Sequence, residues 1–238
     1  MTGVELGIAA VVVAIGAAVQ GGVGFGMNLI AAPILAVLDP TLVPGPALAA
    51  ALVLTILVAA RDRATIDRRG VSFALAGRVP GTVIGALLIA SIPDEGVTVT
   101  VGLAVLLAVA LNATRLGLRP TPPILLTAGV VSGFASTVSS VGGPPMAVVY
   151  ANEPGPVIRG TLSFIFVIGA AMSLVALVAV GDFGTREAGA SLFLMVPGTL
   201  GFLASGWVAG HVDRGKTRTA VLAVAALGAL TALAKYAL

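Results

Sequence analysis

Two short stretches of this chain carry residue types that can hold a solute. The first is Gln20-Gly21-Gly22-Val23-Gly24-Phe25-Gly26, with Asn28 just after it. The second runs from Gly133 through Ser136, Thr137, Ser139 and Ser140 to Gly142-Gly143-Pro144-Pro145. Glycine bares backbone amides, and proline suits the first turn of a helix. A helix N-terminus with free amides and the positive end of its dipole attracts an anion. Gln20, Asn28, Ser136, Thr137, Ser139 and Ser140 add uncharged hydrogen-bond donors. With Gly21, Gly24, Phe25, Gly26, Gly142, Gly143 and Pro144 they form a candidate site able to strip water from a small oxyanion without a fixed charge. The plainer alternative is that the glycines only let helices pack closely. Gly77, Gly81 and Gly85, spaced by four, fit that plainer reading. The two glycine-rich interruptions sit at matched places in the chain, and this favours a site.

Other chemistry has little material. Cysteine is absent and histidine occurs once, at position 211 beside Asp213 and Arg214. A metal cluster is therefore not expected, nor a cofactor. Every acid (Glu5, Asp39, Asp62, Asp67, Asp94, Glu95, Glu153, Asp182, Glu187, Asp213) falls in or near a connecting stretch. No acid–base pair stands inside an apolar run, so the chain does not read as an enzyme. A dedicated proton relay, which needs a titrating group at mid-depth, is not expected either. Arg78 is the one basic residue well inside an apolar run. It admits two readings, a functional charge or a side chain snorkelling to the interface.

The elements that would position these residues are membrane spans. Of 238 residues, 58% are hydrophobic and 10% charged, and the mean hydropathy is +1.11. A chain so poor in charge cannot cover a water-facing surface. Apolar runs fall at about 4–20, 24–38, 43–60, 72–91, 97–114, 124–138, 142–151, 160–180, 189–209 and 217–237. A span needs about 20 residues to cross roughly 30 Å of hydrocarbon, so the run at 142–151 is too short to cross unaided. The first run reads as a retained span rather than a cleaved signal. Eleven Arg and two Lys give a net charge of +3. They lie in short connecting stretches, which points to membrane orientation and not to nucleic acid.

A shift of 117 residues lays Val79-Pro80-Gly81-Thr82 on Val196-Pro197-Gly198-Thr199, Gly16 on Gly133 and Gly26 on Gly143. The expected organisation is two repeats, 1–119 and 120–238, of about five segments each. The basic residues cluster in 61–70, 115–122, 152–159 and 210–219, which assigns those stretches to the cytoplasm and both termini to the outside. Stretch 61–70 is basic while its counterpart 178–187 is not, so the repeats face opposite ways. The expected fold is an all-α polytopic membrane protein with two inverted-topology repeats. The first two segments of each repeat form a broken or re-entrant hairpin. Such repeats can expose one site alternately to each side.

The residues resemble the sulfite exporter TauE/SafE family. The likeness lies in Gln20-Gly21-x-x-Gly24-Phe25-Gly26 followed by Pro33, and in Gly133-Phe134-x-Ser136 through Gly142-Gly143-Pro144-Pro145. It covers essentially the whole chain. It implies an inner-membrane carrier, bacterial or archaeal, for sulfur-containing anions such as sulfite, thiosulfate or organosulfonates. It also places Gln20, Gly24, Phe25, Gly26, Ser136, Gly142, Gly143 and Pro144 at the central site.

The sequence thus reads as a secondary transporter, with an anion channel of the same architecture as the alternative. Its partners are a small anionic solute and the lipid bilayer. An anion leaving a cell that is negative inside gains about 2.3 kcal/mol per charge per 100 mV, so export needs no coupling ion.

Overall fold

A computed structural model describes residues 2–23, 26–61, 66–114, 117–208 and 214–237. Among them the chain is helical throughout, without strands. It comprises α1 (Gly3–Val23), α2 (Met27–Leu38), a 3-10 turn at Pro40–Leu42, α3 (Gly45–Arg61), α4 (Arg68–Ser91), α5 (Asp94–Ala113), α6 (Pro122–Ser139), α7 (Gly143–Val149), α8 (Gly155–Val180), α9 (Thr185–Val208) and α10 (Arg214–Ala237). Seven stretches are long and apolar enough to cross a membrane, on α1, α3, α4, α5, α6, α8 and α9. The chain is a multi-pass membrane protein. The other two apolar stretches are shorter, Met27–Leu38 and Ala220–Lys235. α7 has seven residues, about 10 Å of helix, and cannot cross roughly 30 Å.

Local chemistry sets the breaks. Gly26 holds φ 123°, a backbone open to glycine and strained for other residues, just before α2 begins. α6 stops at Ser140, which adopts the left-handed conformation at φ 58°. Three residues later, at Gly143, α7 starts, with proline in its first turn. Asp67 caps α4, its Oδ1 accepting from Gly70 N at 2.9 Å. Pro33, Pro80 and Pro197 lie inside helices, which membrane helices tolerate when neighbours satisfy the freed carbonyls.

Packing inverts the pattern of a water-soluble protein. Leu87, Val175, Leu203 and Leu227 stand exposed, while Arg78, Asn28, Gln20, Ser132 and Thr137 are buried. An apolar exterior of this kind is covered by lipid. The main helix pairs are α4 with α6, α1 with α9, α3 with α8 and α5 with α10. α3 also meets α9, and α4 meets α8. α4 and α6 approach through glycine. A methyl added to Gly77, Gly81, Gly129 or Gly133 would collide with the carbonyl of Leu126, Val130, Ala74 or Arg78 respectively. Gly77, Gly81 and Gly85 thus serve close packing, as their spacing implies.

Candidate functional site

The two sequence breaks come together around one cavity. Its wall is built from Gln20 at the end of α1, Gly26 and Asn28 at the start of α2, Thr55 on α3, Arg78 on α4, Ser136 on α6, Ser140 to Pro144 around the start of α7, and Phe166 on α8. The space open to the centres of water molecules is about 60 Å³, room for roughly four to six waters. That suits a small anion.

Polar side chains tie the wall. Asn28 Nδ2 donates to Ala47 O at 3.2 Å and to Ser140 O at 3.1 Å, joining α2 to α3 and to the α6–α7 turn. Gln20 accepts from Met27 N at 3.1 Å through Oε1 and donates to Thr55 Oγ1 at 3.4 Å through Nε2. It therefore caps the start of α2 from across the break. Thr55 in turn donates to Ala51 O at 2.7 Å.

Arg78 supplies the charge. It is 1% exposed and does not reach an interface, so the snorkelling reading does not describe it. Its Nη1 donates to Ser132 Oγ at 2.7 Å, and Ser132 donates to Gly142 O at 2.6 Å. This relay fixes the guanidinium against the turn before α7. The Phe166 ring centroid lies 6.0 Å from the guanidinium carbon, at the reach of a cation–π contact. Gly169 makes the room, since a side chain there would overlap the guanidinium. Arg78 Nε is buried without a hydrogen-bond partner, and among the described residues no carboxylate lines the cavity. Burying an ion costs several kcal/mol unless something neutralises it. At seven residues α7 sums few peptide dipoles, so the guanidinium outweighs it as the source of positive potential.

Of the residues expected at the site, Gln20, Gly26, Asn28, Arg78, Ser136, Ser140, Gly142, Gly143 and Pro144 line the cavity. Gly21 packs against Ser205 on α9. Thr137 bonds to Gly133 O and, at 2.8 Å, to Ser173 on α8. Ser139 donates to Ala135 O at 2.7 Å and accepts from Val141 N at 3.3 Å. Gly24 and Phe25 lie outside the described residues, as does His211. Sequence reasoning passed over Ser132, Thr55 and Phe166. The first two carried a signal, being hydroxyls inside apolar runs.

At the other end of α7, Tyr150 donates to Asp67 Oδ2 at 3.0 Å, and Asp67 N donates to Thr161 Oγ1 at 3.0 Å. The latch joins α4, α7 and α8. Burial first, then the bond to Asp67 and the charges of Asp67 and Glu153, push the Tyr150 hydroxyl above its ordinary range.

A helical multi-pass membrane protein with a small, cation-walled cavity where its two chain breaks meet is the class that fold and site define. Residues 8–232 match the family described as Sulfite exporter TauE/SafE, and the chain belongs to that family. Its members are membrane transporters of sulfur anions. No curated protein and no solved structure matches the chain.

Proposed function

We propose that this protein is a secondary transporter that moves small sulfur-containing oxyanions, such as sulfite, thiosulfate or an organosulfonate, out across the inner membrane. The observation that carries this reading is Arg78, a buried guanidinium on the wall of a small cavity where, among the described residues, no carboxylate stands. An arriving anion supplies the missing charge. Ser136, Gln20 and the backbone at Gly142 and Gly143 surround it with neutral groups.

The helix pairing supports an inverted repeat of 1–119 and 120–238. Shifted by 117 residues, the contact of α4 with α6 becomes that of α9 with α1, and α3 with α9 becomes α8 with α4. The pairs α3–α8 and α5–α10 map onto themselves. The short α2 and α7 take the place of re-entrant segments. This symmetry supports alternating access. The membrane potential favours outward movement of an anion, and both termini then face outside.

Counterflow of labelled sulfite in proteoliposomes is the test. Saturable uptake driven by an opposing sulfite gradient is expected. Flux that grows linearly with concentration and shows no counterflow would replace the carrier with a channel. Absence of sulfite and thiosulfate movement would reject the anion reading.

A further inference from the structure

Two neighbours on α8 confine the Arg78 guanidinium without aiming it. Gly169 makes room beside it. The Phe166 ring, 6.0 Å from its central carbon, attracts a cation through its face and leaves the cation's rotation open. Packing of this kind sets where the group sits and not where its N–H bonds point. Direction comes from Ser132 on α6, whose Oγ accepts from Arg78 Nη1 at 2.7 Å.

A serine hydroxyl has one hydrogen. Here that hydrogen is committed, since Ser132 Oγ donates to Gly142 O at 2.6 Å. Its lone pairs are what remains to face Arg78, so the hydroxyl has one working orientation. Hydrogen bonds in such a chain polarise one another. Donating to Gly142 makes Ser132 a better acceptor for the guanidinium.

Ser132 itself is out of a solute's reach. It is fully enclosed. The cavity wall includes Arg78 and Gly142, the two ends of the hydrogen-bonded chain, but not Ser132 between them. The glycine seam explains its place. The next residue, Gly133, lies against the Arg78 backbone, which brings this hydroxyl of α6 to the side chain of α4. One turn further on, Ser136 shares the same face of α6 and lines the cavity. α6 thus gives one hydroxyl to the cation and the next to the cavity.

We propose that Ser132 is a positioning residue for anion binding. It aims the Arg78 guanidinium and ties it to the Gly142 carbonyl at the turn before α7, so that charge and turn meet the solute as one unit. This deepens the anion-carrier reading and rests on it. Removing the hydroxyl leaves Nη1 without its acceptor and the Gly142 carbonyl without its donor. The charge stays, and its direction is lost.

The full chain, purified in detergent and reconstituted in proteoliposomes, tests this with sulfite as the probe. Ser132→Ala should weaken sulfite binding in a calorimetric titration by about five- to ten-fold, with the maximal counterflow rate kept within about two-fold. Ser173→Ala is the control. It removes a hydroxyl just as enclosed, bonded to Thr137 and absent from the cavity wall, and should leave affinity within about two-fold. In an Arg78→Gln chain the Ser132→Ala change should alter affinity by less than about two-fold, because the hydroxyl then has no cation to aim. Unchanged affinity in Ser132→Ala would overturn the proposal and leave an anion carrier standing. So would a loss matched by Ser173→Ala, or one equally large in the Arg78→Gln background. If Ser132→Ala does not fold, Ser132→Cys takes its place. A thiol is a weak acceptor, so weaker binding is again expected, and unchanged binding again overturns the proposal. No sulfite binding and no counterflow by the wild-type chain would remove the anion site and the proposal together.

Discussion

Two seams occupy equivalent places in the chain and bury different things. Where α4 meets α6, backbones touch through Gly77, Gly81, Gly129 and Gly133. Where α9 meets α1, Leu194 and Phe202 stand at the positions equivalent to Gly77 and Gly85, and Gly201 makes the close approach, at Ala14 O. The first seam carries Arg78, and the second has Met195 in its place. Closeness and charge go together here. With Gly133 beside the Arg78 backbone and Gly169 beside its guanidinium, the cation has one position. Under the proposed repeat, halves alike in their helix pairing thus differ in their electrostatics.

The sharpest way to break this contrast is at the cation. Arg78→Gln should weaken sulfite binding by about ten- to 150-fold through the lost charge-assisted bond alone. Met195→Gln, its counterpart, should leave affinity within about two-fold. Arg78→Gln should also fold, because removing an unneutralised buried charge relieves a cost. Equal effects of the two substitutions in a binding titration would end the claim that charge separates the seams.

Next in size is a matched pair of glycines. Gly81→Ala sets a methyl into the Val130 carbonyl, with backbone on both sides, and should cost about 1–3 kcal/mol. Gly198→Ala, 117 residues further along, meets Val13 Cγ1 at 3.5 Å and Leu54 Cδ1 at 3.8 Å, ordinary contact. It should stay within about 0.5 kcal/mol. Thermal unfolding in detergent of both variants gives the answer, and a larger loss for Gly198→Ala would contradict the difference in packing.

The two halves of the chain also differ where their short helices end. α7 ends on the Tyr150–Asp67 bond, whereas α2 ends on Asp39, which bonds locally to Thr41. Tyr150→Phe should cost about 1 kcal/mol. The fold holds Tyr150 neutral, with its hydroxyl raised. That contribution is complete below tyrosine's ordinary value of about 10 and is lost as pH climbs beyond it through the higher folded value. The wild-type chain should therefore lose stability on the alkaline side by more than Tyr150→Phe does. The smallest effect expected is Thr82→Val. Its buried hydroxyl has no partner, so the change should be neutral or slightly stabilising in the same unfolding assay.

The apolar runs and the glycine seam were legible in the sequence because both are local and periodic. Expected runs at 43–60 and 142–151 became α3 (Gly45–Arg61) and α7 (Gly143–Val149). The four-residue spacing of Gly77, Gly81 and Gly85 announced close contact. Most of the cavity wall was legible too, since Gln20, Asn28, Ser136 and Gly142 lie in the breaks themselves. What spacing could not reveal is which polar groups satisfy one another. Ser132 matters because it bridges Arg78 to Gly142 across 54 and ten residues of chain. Thr137 and Ser139 share the break, yet their hydroxyls bond to Ser173 and to α6 itself. Helix rotation decides such outcomes, and a short polar cluster does not encode it.

The glycine seam also bears on where the molecule can part. Its two strands of backbone come from opposite sides of the chain's midpoint, and at Gly77, Gly81, Gly129 and Gly133 a carbonyl of the partner helix stands where a side chain would be. Opening there would expose carbonyls with nothing to replace their neighbours. α4 and α6 should therefore travel as one piece, so under the proposed alternating access the moving body is not either end of the polypeptide but a graft of both. A crosslink fastening α4 to α6 would leave turnover intact, whereas one fastening α3 to α8 would arrest it.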